Sequence, residues 1–210
     1  MFTNFSPTEI VFFLVSLLIA MIIHEVMHGV TAYWLGDTTA ADMGRLTLNP
    51  FKHIDGLTTI LLPLLLVLFG LPPIFAAKPV PFNPAKVKFG EYGAALVGAA
   101  GPITNFLLAL IGSIILHIIG GGASVEVYNF FIIFIEVNVA LMVFNLIPIP
   151  PLDGSRVLYA IAPEPVQEVM AKIESMGFLV MIGFIFIIFQ FIATPFANME
   201  ISVVNFLLSI

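Results

Sequence analysis

Cysteine is absent from the chain, which removes disulfides and thiolate metal ligands together. Any metal must then be held by histidine, aspartate or glutamate. Charge is scarce as well. Only 10% of the 210 residues are charged and 60% are hydrophobic, against roughly 25% charged in an ordinary soluble domain. A soluble globular class is excluded. Apolar runs recur along the whole length, so the chain reads as an integral membrane protein, one domain over residues 1–210. Seven Lys and Arg stand against thirteen Asp and Glu, a net charge of −6, which gives no basis for a nucleic-acid partner. The first residues also lack a basic region and a small-residue cleavage site. The first apolar run therefore reads as a retained helix, not a signal peptide.

Against this background stands Ile23-His24-Glu25-Val26-Met27-His28-Gly29. It is an H-E-x-x-H pattern in the second half of an apolar run over residues 10–35. Residues four apart lie on one face of a helix. His24 and His28 then present two imidazoles to one point, the spacing a tetrahedral zinc ion needs. Glu25 projects beside that face, where a carboxylate can accept a proton. Ionisable groups at membrane depth cost roughly 2.5–3.5 kcal/mol each on insertion scales. A polar patch that merely holds helices together would leave that cost without a functional return. Ser6 or Thr8 can cap this helix with Pro7 in its first turn, Tyr33 and Trp34 suit an interface, and Gly36 is a stop.

Residues 37–56 are the most polar stretch. Residues 45–48 alternate polar and apolar, and Asn49-Pro50 marks a turn. Short strands, forming a β-hairpin-like loop near the zinc helix, are the expectation. An exposed strand edge there would suit an extended substrate. His53 is weighed as a ligand, but a structural histidine is the preferred reading. Residues 57–77 hold a short apolar run interrupted by Pro63, with Pro72 and Pro73 after it, and suit a re-entrant segment. The stretch Ala77-Lys78-Pro79-Val80-Pro81-Phe82-Asn83-Pro84 is extended and helix-breaking.

Residues 93–119 read as a span whose first half is lined by small residues, which let another helix approach closely. Gly101-Pro102-Ile103-Thr104-Asn105 then kinks it and places an amide in the bilayer. Residues 127–149 are another span, carrying Glu136, Asn138 and Asn145. Three prolines, Pro148, Pro150 and Pro151, break it before Asp153-Gly154. Broken backbone at membrane depth survives only where protein or a water-filled cavity covers it. Residues 164–175 fit an amphipathic interfacial helix, and residues 176–193 span again. The fold class is thus an all-α polytopic membrane protein with about four to six transmembrane segments, a re-entrant segment and a small hairpin-like loop.

Zinc usually takes three protein ligands, and Glu136 and Asp153 are the acidic candidates for the third. Asp153 has the better context, just past the broken helix. The basic residues Arg45, Lys52, Lys78, Lys86, Lys88, Arg156 and Lys172 bear on this choice. If 57–77 dips in and returns, all seven fall on one side, the stronger positive-inside pattern. The same topology brings His24, His28 and Asp153 toward one cytoplasmic face.

The His24-Glu25-Val26-Met27-His28 motif, the Gly101-Pro102-Ile103-Thr104-Asn105 segment and the stretch 145–154 ending in Asp153-Gly154 together resemble the site-2 protease family of intramembrane zinc metalloproteases. Residues 77–84 resemble a segment of its compact bacterial and archaeal members, which implies a prokaryotic cell membrane. The resemblance implies His24, His28 and Asp153 as ligands of one Zn2+ and Glu25 as the catalytic carboxylate. It also implies Asn145 as a polar group near the scissile carbonyl. The expected partners are the lipid bilayer and a transmembrane-helix protein substrate, with no PDZ or CBS domain. A catalytically inactive helix-binding relative and a metal-ion transporter are the alternatives. Intact Glu25 argues against the first. Lack of a second ligand set leading onward argues against the second.

Overall fold

The computed structural model describes residues 6–68, 77–177, 183 and 189–210. Helix α1 covers Pro7–Trp34. Ser6 closes its N-terminus with a capping box: its hydroxyl accepts the Glu9 N–H at 3.2 Å and the Glu9 carboxylate accepts the Ser6 N–H at 2.7 Å. Two backbone donors left over at a helix start are thereby satisfied. Gly36, with φ +105°, turns the chain out of the helix in a conformation that disfavours a Cβ.

The polar stretch that follows is not a hairpin. Among the described residues there is no strand. The chain makes the one-turn helix α2, Thr39–Asp42, then a bend, then a 3-10 turn at Pro50–Lys52. The reason is local side-chain chemistry. Asp37 accepts from the Thr39 N–H and hydroxyl, and Asn49 accepts from the Phe51 N–H. Short polar side chains that bond nearby backbone favour turns over ladders. Alternation over residues 45–48 misled because Arg45 points inward to other backbone, not to a paired strand.

Gly56–Leu61 is a π-helical stretch that leads into α3, Leu62–Leu68. Leu62 and Leu66 pack on Leu152 with Phe144, Ile147 and Ile149 at the edge, so α3 covers the proline-rich loop. Residues 69–76 lie outside the described residues, and with them the test of re-entry. An extended strap over residues 77–83 then crosses beside α1 before the turn at Pro84–Lys86.

Helix α4, Gly90–Ile119, continues through Pro102. Helix α5 is Val125–Asn145, capped by Ser124. Helix α6, Gly154–Ile161, and helix α7, Glu164–Ser175, come next. Helix α7 occupies the stretch expected to be amphipathic. The span expected over 176–193 falls mostly outside the described residues. Helix α8, Phe189–Leu208, ends the chain. Four helices among the described residues are long and apolar enough to cross a bilayer: α1, α4 (with its following turn), α5 and part of α8. The protein is an all-α polytopic membrane protein, as its composition predicts.

Packing follows the small residues. Ala109 and Leu116 of α4 meet Ile135, Val139, Met142 and Val143 of α5 and Val204 and Leu207 of α8. Leu17 and Ala20 of α1 meet Ile133 and Val137 of α5. In lipid such contacts hold helices by close van der Waals fit rather than by expulsion of water.

Candidate metal centre

His24 and His28 lie one turn apart on α1, both buried. Their Nε2 atoms are 3.0 Å apart, with the rings crossed at 85°. Helix α4 makes room for them. A Cβ at Gly101 would sit 2.5 Å from His24 Cε1 and 2.6 Å from His28 Nε2. Glycine there is therefore set by the rings that pass over it. The same helix orients both rings. Asn105 Oδ1 lies 2.6 Å from His24 Nδ1, and the Val97 carbonyl lies 2.7 Å from His28 Nδ1. Asn105 in turn donates to Asn138 Oδ1 on α5 at 3.0 Å, and Asn138 donates to the Phe134 carbonyl. This buried chain of amides ties α1, α4 and α5 together at the depth of the histidines.

Asp153 arrives from the proline-rich loop. Gly154 after it lies so close to the carbonyls of Leu146 and Ile147 that a Cβ would collide with them. The Asp153 backbone carbonyl itself lies 3.0 Å from where a Gly98 Cβ would be. Glycine on α4 and at the start of α6 thus lets the carboxylate descend onto the rings. Asp153 Oδ2 lies 3.0 Å from His24 Nε2 and 3.3 Å from His28 Nε2.

The protonation pattern says what this arrangement suits. Each Nδ1 faces only a carbonyl or amide oxygen, so each Nδ1 carries the ring proton. A neutral ring held this way presents a lone pair at Nε2. Asp153 Oδ2 is buried and has no hydrogen-bond donor among the described residues. Three acceptor atoms, mutually within 4.8 Å, converge on one point. Buried acceptors without donors are costly unless a cation joins them. Two imidazoles and a carboxylate form a donor set that fits zinc, and tetrahedral bonds of about 2.0–2.2 Å would place such atoms roughly 3.3–3.6 Å apart. Ring N–H groups held by an amide and a carbonyl are the outer support such ligands normally have.

The other expected residues fall at different distances from this point. Glu25 follows His24, and its Oε2 accepts the Val80 N–H at 2.8 Å. Asn145, at the end of α5, donates to the Leu141 carbonyl of its own helix. Glu136 is exposed and is not in the cluster. His53 is buried with Nε2 on the Thr47 carbonyl at 2.8 Å, the structural role preferred for it. Among the described residues no second group of three such ligand residues is present. The sequence places the Asn105 amide in the bilayer without naming a partner for it. The signal was present, because an amide one helical turn past Gly101 lies on the same face as the glycine.

Residues 113–189 match Peptidase family M50, a stretch that contains Asn145 and Asp153 while the histidine pair precedes it. A Bacillus subtilis (strain 168) protein named "Putative zinc metalloprotease YwhC" is 39% identical over 176 residues, 80% of this chain and 77% of that protein. The chain belongs to peptidase family M50. The resemblance to site-2 proteases drawn from the motifs is thus borne out. Two mycobacterial proteins named "Putative zinc metalloprotease Rip2" are also similar. The one from Mycolicibacterium smegmatis is 28% identical over 168 residues, 79% of this chain and 62% of its own length. The one from Mycobacterium tuberculosis (strain H37Rv) is 27% identical over 144 residues, 67% of this chain and 53% of its own. No solved structure gives a significant match.

Proposed function

We infer that this M50 chain is an intramembrane zinc metallopeptidase that hydrolyses peptide bonds in or near transmembrane helices of membrane proteins. The observation that carries this is Asp153 Oδ2, buried without a donor and facing two imidazole nitrogens on a membrane-length helix. His24, His28 and Asp153 would hold one zinc per chain. Bound there, zinc would supply Lewis-acid chemistry, polarising a carbonyl and lowering the pKa of a water to about 7. Glu25 accepts the proton of the attacking water and passes it to the leaving amine. Asn105 and the Val97 carbonyl hold the two rings in the tautomer that leaves Nε2 free. Asn145 turns an amide N–H toward the developing oxyanion, exchanging the Leu141 carbonyl for it.

A helical substrate hides its carbonyls, so the scissile segment must unwind to reach the site. Water reaches the site past the Asp153 side chain, which is 23% exposed. With 57–77 re-entrant, we place this end of the helices on the cytoplasmic side of a prokaryotic membrane and the N-terminus outside, because all seven basic residues then share one face. The chain acts as one domain. Because it has no cysteine, single introduced cysteines report sidedness cleanly. Labelling that put Lys86 outside and Lys52 inside would overturn this orientation.

The deciding experiment is elemental analysis of purified wild type, His24→Ala and Asp153→Ala, with Glu25→Gln alongside. One zinc per chain, lost in both ligand variants, is the expected result. Glu25→Gln keeps the metal and loses about 10²–10⁴ of the cleavage rate on a single-span reporter peptide. Zinc retained in Asp153→Ala removes that residue from the site. Undiminished cleavage by Glu25→Gln removes the base assignment.

A further inference from the structure

The strap over residues 77–83 is tied down at four points. The Lys78 N–H bonds the His53 carbonyl at 2.8 Å. Arg45 Nη2 donates to the carbonyls of Lys78 and Pro79 at 2.8 and 3.2 Å. The Val80 N–H goes to Glu25 Oε2, and the Asn83 N–H goes to Asp37 Oδ2 at 2.5 Å. Proline has no N–H, so between Pro79 and Pro81 the strap has a single backbone donor, and Glu25 receives it. Val80 itself is buried, and its side chain closes on Gly29, the residue after His28.

Arg45 is 6% exposed and makes no ion pair among the described residues. Burying a guanidinium against carbonyls alone is costly, and a plain loop tie would not need a charge. Its place explains it. Gripping two successive carbonyls fixes the peptide planes on either side of Pro79, and the next N–H along is that of Val80.

We propose that Arg45 is a positioning residue for Glu25, acting through Pro79 and the Val80 amide. The bond to Val80 occupies one oxygen of the Glu25 carboxylate and fixes its plane. The other oxygen is left to take the proton. This rests on Glu25 being the proton acceptor, as proposed above. Asp37 anchors the far end of the strap. Burial alone would raise its carboxyl, but the bonds from Thr39 and Asn83 outweigh burial and hold it below the usual carboxylate value.

The test uses the full chain in phosphatidylcholine–phosphatidylglycerol vesicles. The probe is a synthetic single-span peptide with an Asn-Pro pair near one end of its apolar run. Arg45→Gln, Arg45→Lys, Val80→Pro and the Arg45→Gln/Val80→Pro double variant are compared. In Arg45→Gln, amide exchange at Val80 should quicken about tenfold and kcat should fall about 10–100-fold, as small misplacements of reacting groups do. Zinc content and KM stay near wild type, and Arg45→Lys recovers part of kcat. Val80→Pro removes the donor directly and gives a similar loss, and the double variant is no slower than either single one. If Arg45→Gln loses its helicity, Arg45→Lys is read in its place, and faster Val80 exchange there with kcat unchanged overturns the proposal. Faster Val80 exchange with unchanged kcat overturns the proposal, as do losses that multiply in the double variant. If Glu25→Gln itself keeps cleaving, the base assignment is what fails, a different result from any of these.

Discussion

Two kinds of ionisable residue sit inside the apolar helices, and they are treated differently. His24 and His28 on α1 are 6% and 8% exposed, and each has its Nδ1 assigned to a named oxygen on α4. Glu136 on α5 is exposed, outside the cluster, and its carboxylate has no hydrogen bond or ion pair among the described residues. Yet Glu136 lies two residues from Asn138, which is 0% exposed and part of the amide chain behind His24. Two residues turn a helix by roughly 200°, so the two side chains leave opposite faces. An ionisable group inside a span points to function by default. The contrast here shows that the stronger sign is what its remaining polar atoms are bonded to. The histidines have every other atom fixed and one lone pair each left over, aimed at the same place.

The largest effect that would sharpen this contrast is expected at Gly101, which touches no substrate in the proposed mechanism. Gly101→Ala puts a methyl 2.5–2.6 Å from both rings. The rings cannot retreat without breaking their bonds to Asn105 and Val97. Zinc content should fall to a small fraction of wild type while the helical content measured by circular dichroism stays. Full zinc loading in Gly101→Ala would mean that the rings are not held as described. A smaller loss is expected for Asn105→Leu, which leaves the His24 Nδ1–H buried without an acceptor. Removing such an outer partner costs about 10–100-fold in metal affinity, measurable by competition with a chelator. Unchanged affinity would make the amide chain mere helix packing.

The sequence made much of this centre legible, and the reason is spacing. His24 and His28 are four apart in a helix, so one face is dictated whatever surrounds it. Asp153 could be ranked over Glu136 because prolines at 148, 150 and 151 announce a broken helix. What could not be read were contacts whose partners are backbone atoms far along the chain. Val97 offers only its carbonyl to His28, and any residue type has one. The Val80 N–H on Glu25 spans 55 positions and leaves no side-chain signature beyond the two flanking prolines. The strands expected over 45–48 failed for the converse reason. A period of two was present, but Asp37 and Asn49 took up the local donors and Arg45 turned inward, so no ladder formed.

The smallest effect belongs to Glu136→Gln, and it tests the comparison from its other side. Glu136 was the competing candidate for the third ligand, and a carboxylate in a span invites a catalytic role. In the structure it faces away from Asn138 and stands outside the His24–His28–Asp153 group. Gln keeps the shape and removes the charge. Zinc content should be unchanged, cleavage of the reporter should stay within about twofold, and stability should stay within about 0.5 kcal/mol, as for surface substitutions generally. Lost zinc in this variant would show that burial and bonded partners do not separate ligands from bystanders in this bundle. Lost cleavage with zinc intact would instead point to a role for the face of α5 that carries Glu136, such as receiving the substrate helix. Only the zinc measurement bears on the contrast between the histidines and Glu136, so it should be made first.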